Sequence, residues 1–271
     1  MPSLEPRDAQ PLHEESGIST LEGKKGLIVG IANEHSLAYG CARHFHAAGA
    51  DLAITYLNAK AEPYVRPLAT ALGSDIILPC DVSVPGQLEA VYAAIAERWQ
   101  RLDFALHSIA YARTEDLHGR ITDCSVDGFA FAMQVSVHSF LRMAKLAEPL
   151  MTSGGCLLAM SYYGADKAVA HYNVMGPVKA ALEAAVRYMA VELGPKYIRV
   201  NALSPGPVAT RAASGIEDFD ELLERAVSLA PEHKLITIDD VGALAAFLVS
   251  DAAKAITGNI AYVDAGYHVV G

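Results

Sequence analysis

Two tyrosine–lysine spacings occur within one short stretch of the chain. Tyr163-x3-Lys167 lies in Ser161-Tyr162-Tyr163-Gly164-Ala165-Asp166-Lys167, and Tyr172-x6-Lys179 follows in His171-Tyr172-Asn173-Val174-Met175-Gly176-Pro177-Val178-Lys179. A phenol beside an ammonium group can donate a hydrogen bond to an oxygen that gains negative charge, and can hold that charge electrostatically. At 3.6 residues per turn, seven residues advance a helix by about 700°, so Tyr172 and Lys179 would share one face, two turns apart. The three-residue gap also gives one face, but only on a helix, and Gly164 sits in a segment that is leaving a strand. Lys179 instead opens a helix-forming run, Lys-Ala-Ala-Leu-Glu-Ala-Ala-Val-Arg-Tyr-Met-Ala. The spacing therefore favours Tyr172 and Lys179. With Asn173 as the cap, Pro177 lies just beyond the first turn and predicts a local distortion between the pair.

Such a pair needs a ligand to act on, and a glycine turn upstream offers a place for one. The run Gly26-Leu-Ile-Val-Gly30 reads as a buried strand entering Gly30-Ile-Ala-Asn-Glu-His-Ser36-Leu-Ala-Tyr-Gly40. Gly30 permits a tight exit, and Ser36 is a natural N-cap that could also bond phosphate. A strand, a turn and a helix N-terminus together form the usual seat of a dinucleotide pyrophosphate. The GxGxxG spacing is absent, so an ordinary strand–loop–helix joint is the competing reading. After the second strand, Tyr56-Leu57-Asn58-Ala59-Lys60 carries no carboxylate for a ribose diol. Asn58 could bond a hydroxyl and Lys60 could face a phosphate, so NADH and NADPH stay unseparated here. In Cys80-Asp81-Val82, Asp81 could meet an adenine amino group or cap the following helix.

The elements that must position these groups alternate regularly. Apolar strands are predicted over 26–30, 51–56, 75–79, 102–109, 156–160, 198–203 and 260–263. Helices are predicted over 36–48, 59–72, 84–99, 126–151, 174–193, 219–229 and 238–248. Continuous apolar strands imply burial on both faces, and alternation with helices implies right-handed crossovers. The expected fold class is α/β: a doubly wound parallel sheet, Rossmann-like, in a single domain over 21–271 behind a loose N-terminal tail over 1–20.

Composition narrows the function further. A chain 52% hydrophobic and 19% charged supports a well-buried core. The net charge of −10, without a Lys/Arg block, argues against nucleic acid or an anionic membrane as partner. Cys41, Cys80, Cys124 and Cys156 are scattered without a CxxC pair and read as small apolar residues of a reducing cytosol. No metal site is expected, since His44 and His46 face different directions on a helix. His107 and His138 read as packed or surface residues, and Asp239-Asp240 as an acid pair at a helix start. The first residues lack a signal core, and no apolar run approaches the ~18 residues of a membrane span, so a cytoplasmic protein is expected.

With these residues in view, the chain from Leu21 to Gly271 resembles the bacterial enoyl-acyl-carrier-protein reductases, a divergent branch of the short-chain dehydrogenase/reductase superfamily. The resemblance is carried by Gly30, Ser36 and Ala38, by Cys80-Asp81-Val82, and by Ser161-Tyr162-Tyr163-Gly164-Ala165. It continues through Tyr172-Asn173-Val174-Met175-Gly176, Arg199-Val200-Asn201-Ala202, Gly206-Pro207 and Ala212-Ala213-Ser214-Gly215-Ile216. The two tyrosine-bearing motifs together are its most specific part. It implies hydride transfer from NADH, with NADPH as the alternative, to the double bond of an enoyl thioester on acyl carrier protein, in fatty-acid elongation by a homotetramer.

The resemblance also implies residue roles. Tyr172 would hydrogen-bond the thioester carbonyl, Lys179 would hold the nicotinamide ribose, and Tyr162 would line the acyl site, with Tyr111, Met175 and Ala212 also on the substrate side. Gly30, Ser36 and Leu37 would meet the pyrophosphate, and Asp81 and Val82 would bracket adenine. Ala110 would face the nicotinamide, while Val208 and Thr210 would receive its carboxamide and the phosphates. A substrate lid would span 209–220. The chain departs from the family pattern at Ala110 (usually Gly), Tyr111 (usually Phe), Leu57 (often polar), Pro177 and Arg211. The alternatives are a carbonyl reductase on the same fold, which would use Tyr163 and Lys167, and a cofactor-binding paralogue without catalysis. Wide apolar faces on the helices predicted near 129–151 and 178–193 could pack symmetrically between subunits or cover the sheet.

Overall fold

The computed structural model describes residues 20–208 and 219–270. The tail and most of the predicted lid, with Thr210, Arg211 and Ala212, lie outside the described residues.

Seven strands form one sheet in the order β3-β2-β1-β4-β5-β6-β7, and every neighbouring pair is parallel. They are β1 (Lys25–Val29), β2 (Asp51–Tyr56), β3 (Ile76–Pro79), β4 (Phe104–His107), β5 (Gly155–Met160), β6 (Ile198–Pro205) and β7 (Ile260–Val263). The expected doubly wound α/β sheet is present. Alternate strand residues enter different cores, as a two-faced sheet requires. Leu27, Val29, Ala105, Leu157 and Val200 join one cluster, while Ile28, Ile54, Leu106, Leu158 and Leu203 join the other.

The helices are α1 (Leu37–Ala47), α2 (Glu62–Ala71), α3 (Gln87–Trp99), α4 (Thr114–Leu117), α5 (Val126–Met133), α6 (Ser139–Ala147), α7 (Met175–Leu193), α8 (Phe219–Leu229) and α9 (Ile238–Val249). Asp240 completes a capping box with Thr237 at the start of α9, and Asp239 pairs with Arg43, so both acids serve a helix start as expected. The single helix predicted over 126–151 is instead interrupted. A π-helical stretch, Gln134–His138, separates α5 from α6. Apolar periodicity continues through it, which is why the pattern conceals the break.

The order of strands reverses between β1 and β4, so their C-terminal ends border the crevice where this class of sheet binds ligands. There, Gly30 has φ +123°, and a Cβ on it would stand 2.1 Å from the Ser108 carbonyl oxygen. Backbone conformation and close approach both demand glycine at this exit. Among the described residues no helix is long and apolar enough to cross a membrane.

Candidate active site

The turn after β1 is built to leave a helix end open. Ser36 holds the N-cap position of α1, yet its hydroxyl does not cap. Its Oγ accepts from the N–H groups of Ala32 and Asn33, both at 3.0 Å, and so closes the loop rather than the helix. The N–H groups of Leu37 and Ala38 make no hydrogen bond among the described residues. An uncapped N-terminus at the switch point fits an anionic ligand such as a pyrophosphate. Ser36 thus corrects the expectation of an ordinary cap.

Two further segments of the predicted cofactor site follow β3 and β2. The Asp81 Oδ1 atom accepts from the Ser83 N–H (2.9 Å) and hydroxyl (2.6 Å). Helix α3 begins only at Gln87, with Gly86 at its cap, so Asp81 folds a tight turn instead of capping the helix. At the end of β2, Asn58 Oδ1 accepts from Lys60 and Ala61, leaving Leu57 and Lys60 exposed. Ala110 and Tyr111 follow β4 and are exposed, Tyr111 lying edge-on to Phe131 at 5.7 Å. Val208, beyond β6, is partly buried.

Beyond β5 the chain brings its polar side chains together. Lys179, in the second turn of α7, is 4% exposed, and its ammonium donates to the Met160 carbonyl at 2.6 Å. Burial lowers this lysine to about 8, opposed by the charge of Glu183 one turn further along. Ser161 follows Met160 and donates to Glu183 Oε1 at 2.6 Å, while burial raises the Glu183 carboxyl. Tyr162 comes next, its ring 4.7 Å from that of Tyr172. Burial pushes both phenols upward, so they are neutral donors. The Tyr162 hydroxyl is buried and has no hydrogen-bond partner among the described residues, and such an orphaned donor fits an acceptor brought by a ligand.

Tyr172 itself is not helical. It sits between His171 (φ 59°) and Asn173 (φ 44°) in a turn that precedes α7. The shared helical face predicted for Tyr172 and Lys179 is therefore replaced by a turn and a helix that converge on the end of β5. Pro177 occupies the third position of α7, where its missing N–H has no intrahelical acceptor to lose. The predicted distortion does not arise, because the helix starts later than Asn173. A Cβ on Gly164 would lie 2.5 Å from the Tyr172 ring, so this glycine shapes the seat of the phenol. Met175 opens α7 and is buried in the core that includes Tyr172.

The competing pair does not converge. Tyr163 is buried against Tyr267, while Lys167 is exposed in the turn that follows. His107, expected only as a packed or surface residue, is fully buried at the end of β4. The Ser139 hydroxyl donates to the Val135 carbonyl at 2.6 Å and so accepts from His107 Nε2–H at 2.7 Å. Burial, with the charge of Lys179, lowers His107 to about 3, so it stays neutral. Sequence reading missed Ser161, Glu183 and the Met160 carbonyl. The four-residue step from Lys179 to Glu183 was a usable signal, but a carbonyl leaves none. The buried Cys41 and Cys80 thiols are both raised to about 12, which makes them inert apolar fillers.

Comparison with known proteins shows the family. Residues 30–268 match the family described as Enoyl-(Acyl carrier protein) reductase. The chain is 48% identical over 252 residues, 93% of each chain, to the Enoyl-[acyl-carrier-protein] reductase [NADH] of Aquifex aeolicus. It is 43% identical to that of Escherichia coli, covering 92% of this chain and 95% of the relative. Among solved structures, the Anaplasma phagocytophilum reductase in complex with NAD superposes with a TM-score of 0.89 at 49% identity, covering 93% and 96% of the two chains. The Bacillus cereus enoyl-acyl carrier protein reductase, with NADP+ and an indole naphthyridinone, gives 0.91 at 41% identity, covering 94% and 100%. By sequence and by fold, the chain belongs to the enoyl-(acyl carrier protein) reductase family.

Proposed function

We propose that the protein reduces the carbon–carbon double bond of an enoyl thioester carried on acyl carrier protein, using NADH. The observation that carries this reading is the buried Lys179 ammonium, anchored on the Met160 carbonyl two residues before Tyr162, whose ring packs at a tilt against that of Tyr172. Family membership and the relatives named as NADH enzymes support it.

The open start of α1, with Gly30, Ser36 and Leu37, holds the pyrophosphate, and Asp81 with Val82 brackets adenine. Ala110, Val208 and Thr210 flank the nicotinamide, and Lys179 holds its ribose. Tyr162, Tyr111 and Met175 line the acyl side. The bound nicotinamide supplies the hydride that adds to the β-carbon. Tyr172 donates a hydrogen bond to the thioester oxygen, where negative charge gathers, and the Lys179 cation stabilises that charge through a poorly solvated site. One such donor is worth about 3–4 kcal/mol of barrier. Tyr172, itself buried, also helps keep the oxygen dry. The protein works in the cytoplasm as a homotetramer, a state supported by the exposed apolar residues Tyr188 and Val191 on α7.

The test follows NADH oxidation with short and medium enoyl thioesters on acyl carrier protein, and separately with ketones. The unaltered protein and Lys167→Met consume NADH with the enoyl substrates, whereas Lys179→Met and Tyr172→Phe are slower by about 100-fold or more. Turnover of ketones alone, lost in Lys167→Met, would establish a carbonyl reductase instead.

A further inference from the structure

We infer that Arg142 on α6 is a positioning residue for the adenine end of the cofactor site, acting through one peptide unit of the turn after β3. This rests on the proposal that Asp81 and Val82 bracket adenine. Arg142 donates from Nη1 to the Val82 carbonyl at 2.9 Å and from Nη2 to Glu89 Oε1 at 2.5 Å. The Glu89 carboxyl is held below its ordinary value, first by that hydrogen bond. The guanidinium thus ties α6 to the turn and to the first turn of α3.

The peptide joining Val82 to Ser83 is gripped at both ends. Its carbonyl accepts from Arg142, and its N–H donates to Asp81 Oδ1 at 2.9 Å. A peptide is planar, so fixing the carbonyl fixes the direction of the N–H, and with it the roll of the Asp81 carboxylate. The Asp81 N–H is likewise engaged by Gln87 Oε1 at 2.7 Å. With those bonds made, the Asp81 Oδ2 atom and the Val82 N–H have no hydrogen bond among the described residues. One free acceptor beside one free donor complements the amino group and neighbouring ring nitrogen of adenine. Arg142 is two-handed in this arrangement, and a lysine cannot reproduce a planar fork that meets a carbonyl and a carboxylate together.

The probe is reduced nicotinamide hypoxanthine dinucleotide, whose ring carries a carbonyl in place of the amino group and so inverts the donor–acceptor pattern. The ratio of kcat/KM for NADH to that for this analogue measures adenine recognition. Arg142→Ala should reduce the ratio about fivefold, the size of one lost hydrogen bond, toward the value for Asp81→Ala. kcat at saturating NADH should hold steady, and Arg142→Lys, which keeps the charge and spares the fold, should fall between. A general loosening of the fold would lower kcat/KM for both cofactors alike and leave the ratio intact. A ratio unchanged in Arg142→Ala and Arg142→Lys, but collapsed in Asp81→Ala, overturns the role of Arg142. A ratio near one in the unaltered protein removes the adenine reading itself, and the inference with it.

Discussion

Raising the pH should switch the reaction off through Lys179 before either phenol of the site titrates. Burial brings its ammonium from 10.5 to about 8, and Glu183 only partly restores it. Tyr162 and Tyr172 are displaced upward by burial, out of the way of this window, and His107, at about 3, is neutral throughout. The groups of the enzyme before substrate binds govern kcat/KM. Between about pH 7 and about pH 9 the charged fraction of Lys179 falls from roughly 90% to roughly 10%, so kcat/KM should drop about tenfold. Glu183→Gln removes the charge that supports the ammonium and should move this alkaline limb to lower pH. Stability responds with the opposite sign. Above about 8 the native lysine has lost its proton while the unfolded one keeps it to 10.5, so the unfolded chain binds more protons and stability rises with pH across that interval. The rise from this group is at most about 3 kcal/mol and is absent in Lys179→Met. Initial rates across pH 6 to 10, beside denaturant titrations at the same values, test both signs. A profile flat to about pH 10, or a limb that Glu183→Gln leaves in place, would refute the assignment of the charge to Lys179.

Two substitutions separate packing from chemistry. Tyr162→Phe deletes a buried hydroxyl that has no partner among the described residues, so the protein should gain about 1 kcal/mol by urea unfolding, and a loss of stability would mean the hydroxyl is satisfied after all. Gly164→Ala puts a methyl group into the Tyr172 ring; kcat should fall at least tenfold while the protein stays folded, and unchanged kcat would show that the ring's seat is immaterial.

The sheet was legible because its strands are continuous apolar runs, and Phe219–Leu229 matched its predicted bounds. Some boundaries moved inward, as at β4, which is Phe104–His107 rather than 102–109, while β6 runs on to Pro205 beyond its predicted end at 203. The proposed pair, Tyr172 and Lys179, was singled out by residue type and spacing, but its geometry was not legible. The seven-residue spacing was read as one helical face, whereas positive φ at His171 and Asn173, two residues with no glycine to announce a turn, puts Tyr172 in a turn ahead of a helix that starts at Met175. Ser36 shows the reverse problem. It has the type and place of a cap, and only the positions of the Ala32 and Asn33 N–H groups divert its hydroxyl. Arg142 had no local signature, since its acceptors lie on a distant turn.

The π-helical stretch at Gln134–His138 sets the angular phase between α5 and α6. Its wider turns accommodate about one residue more than an α-helix following the same path. Each residue rotates a helix by about 100°, so deleting one codon here would leave both halves helical while turning one against the other by more than a quarter revolution. Ser136 would swing from the Tyr111 backbone, or Ser139 from His107, but the two could not keep both appointments. The length of this segment is therefore a coded angle, and insertions or deletions inside it should be tolerated far less than substitutions.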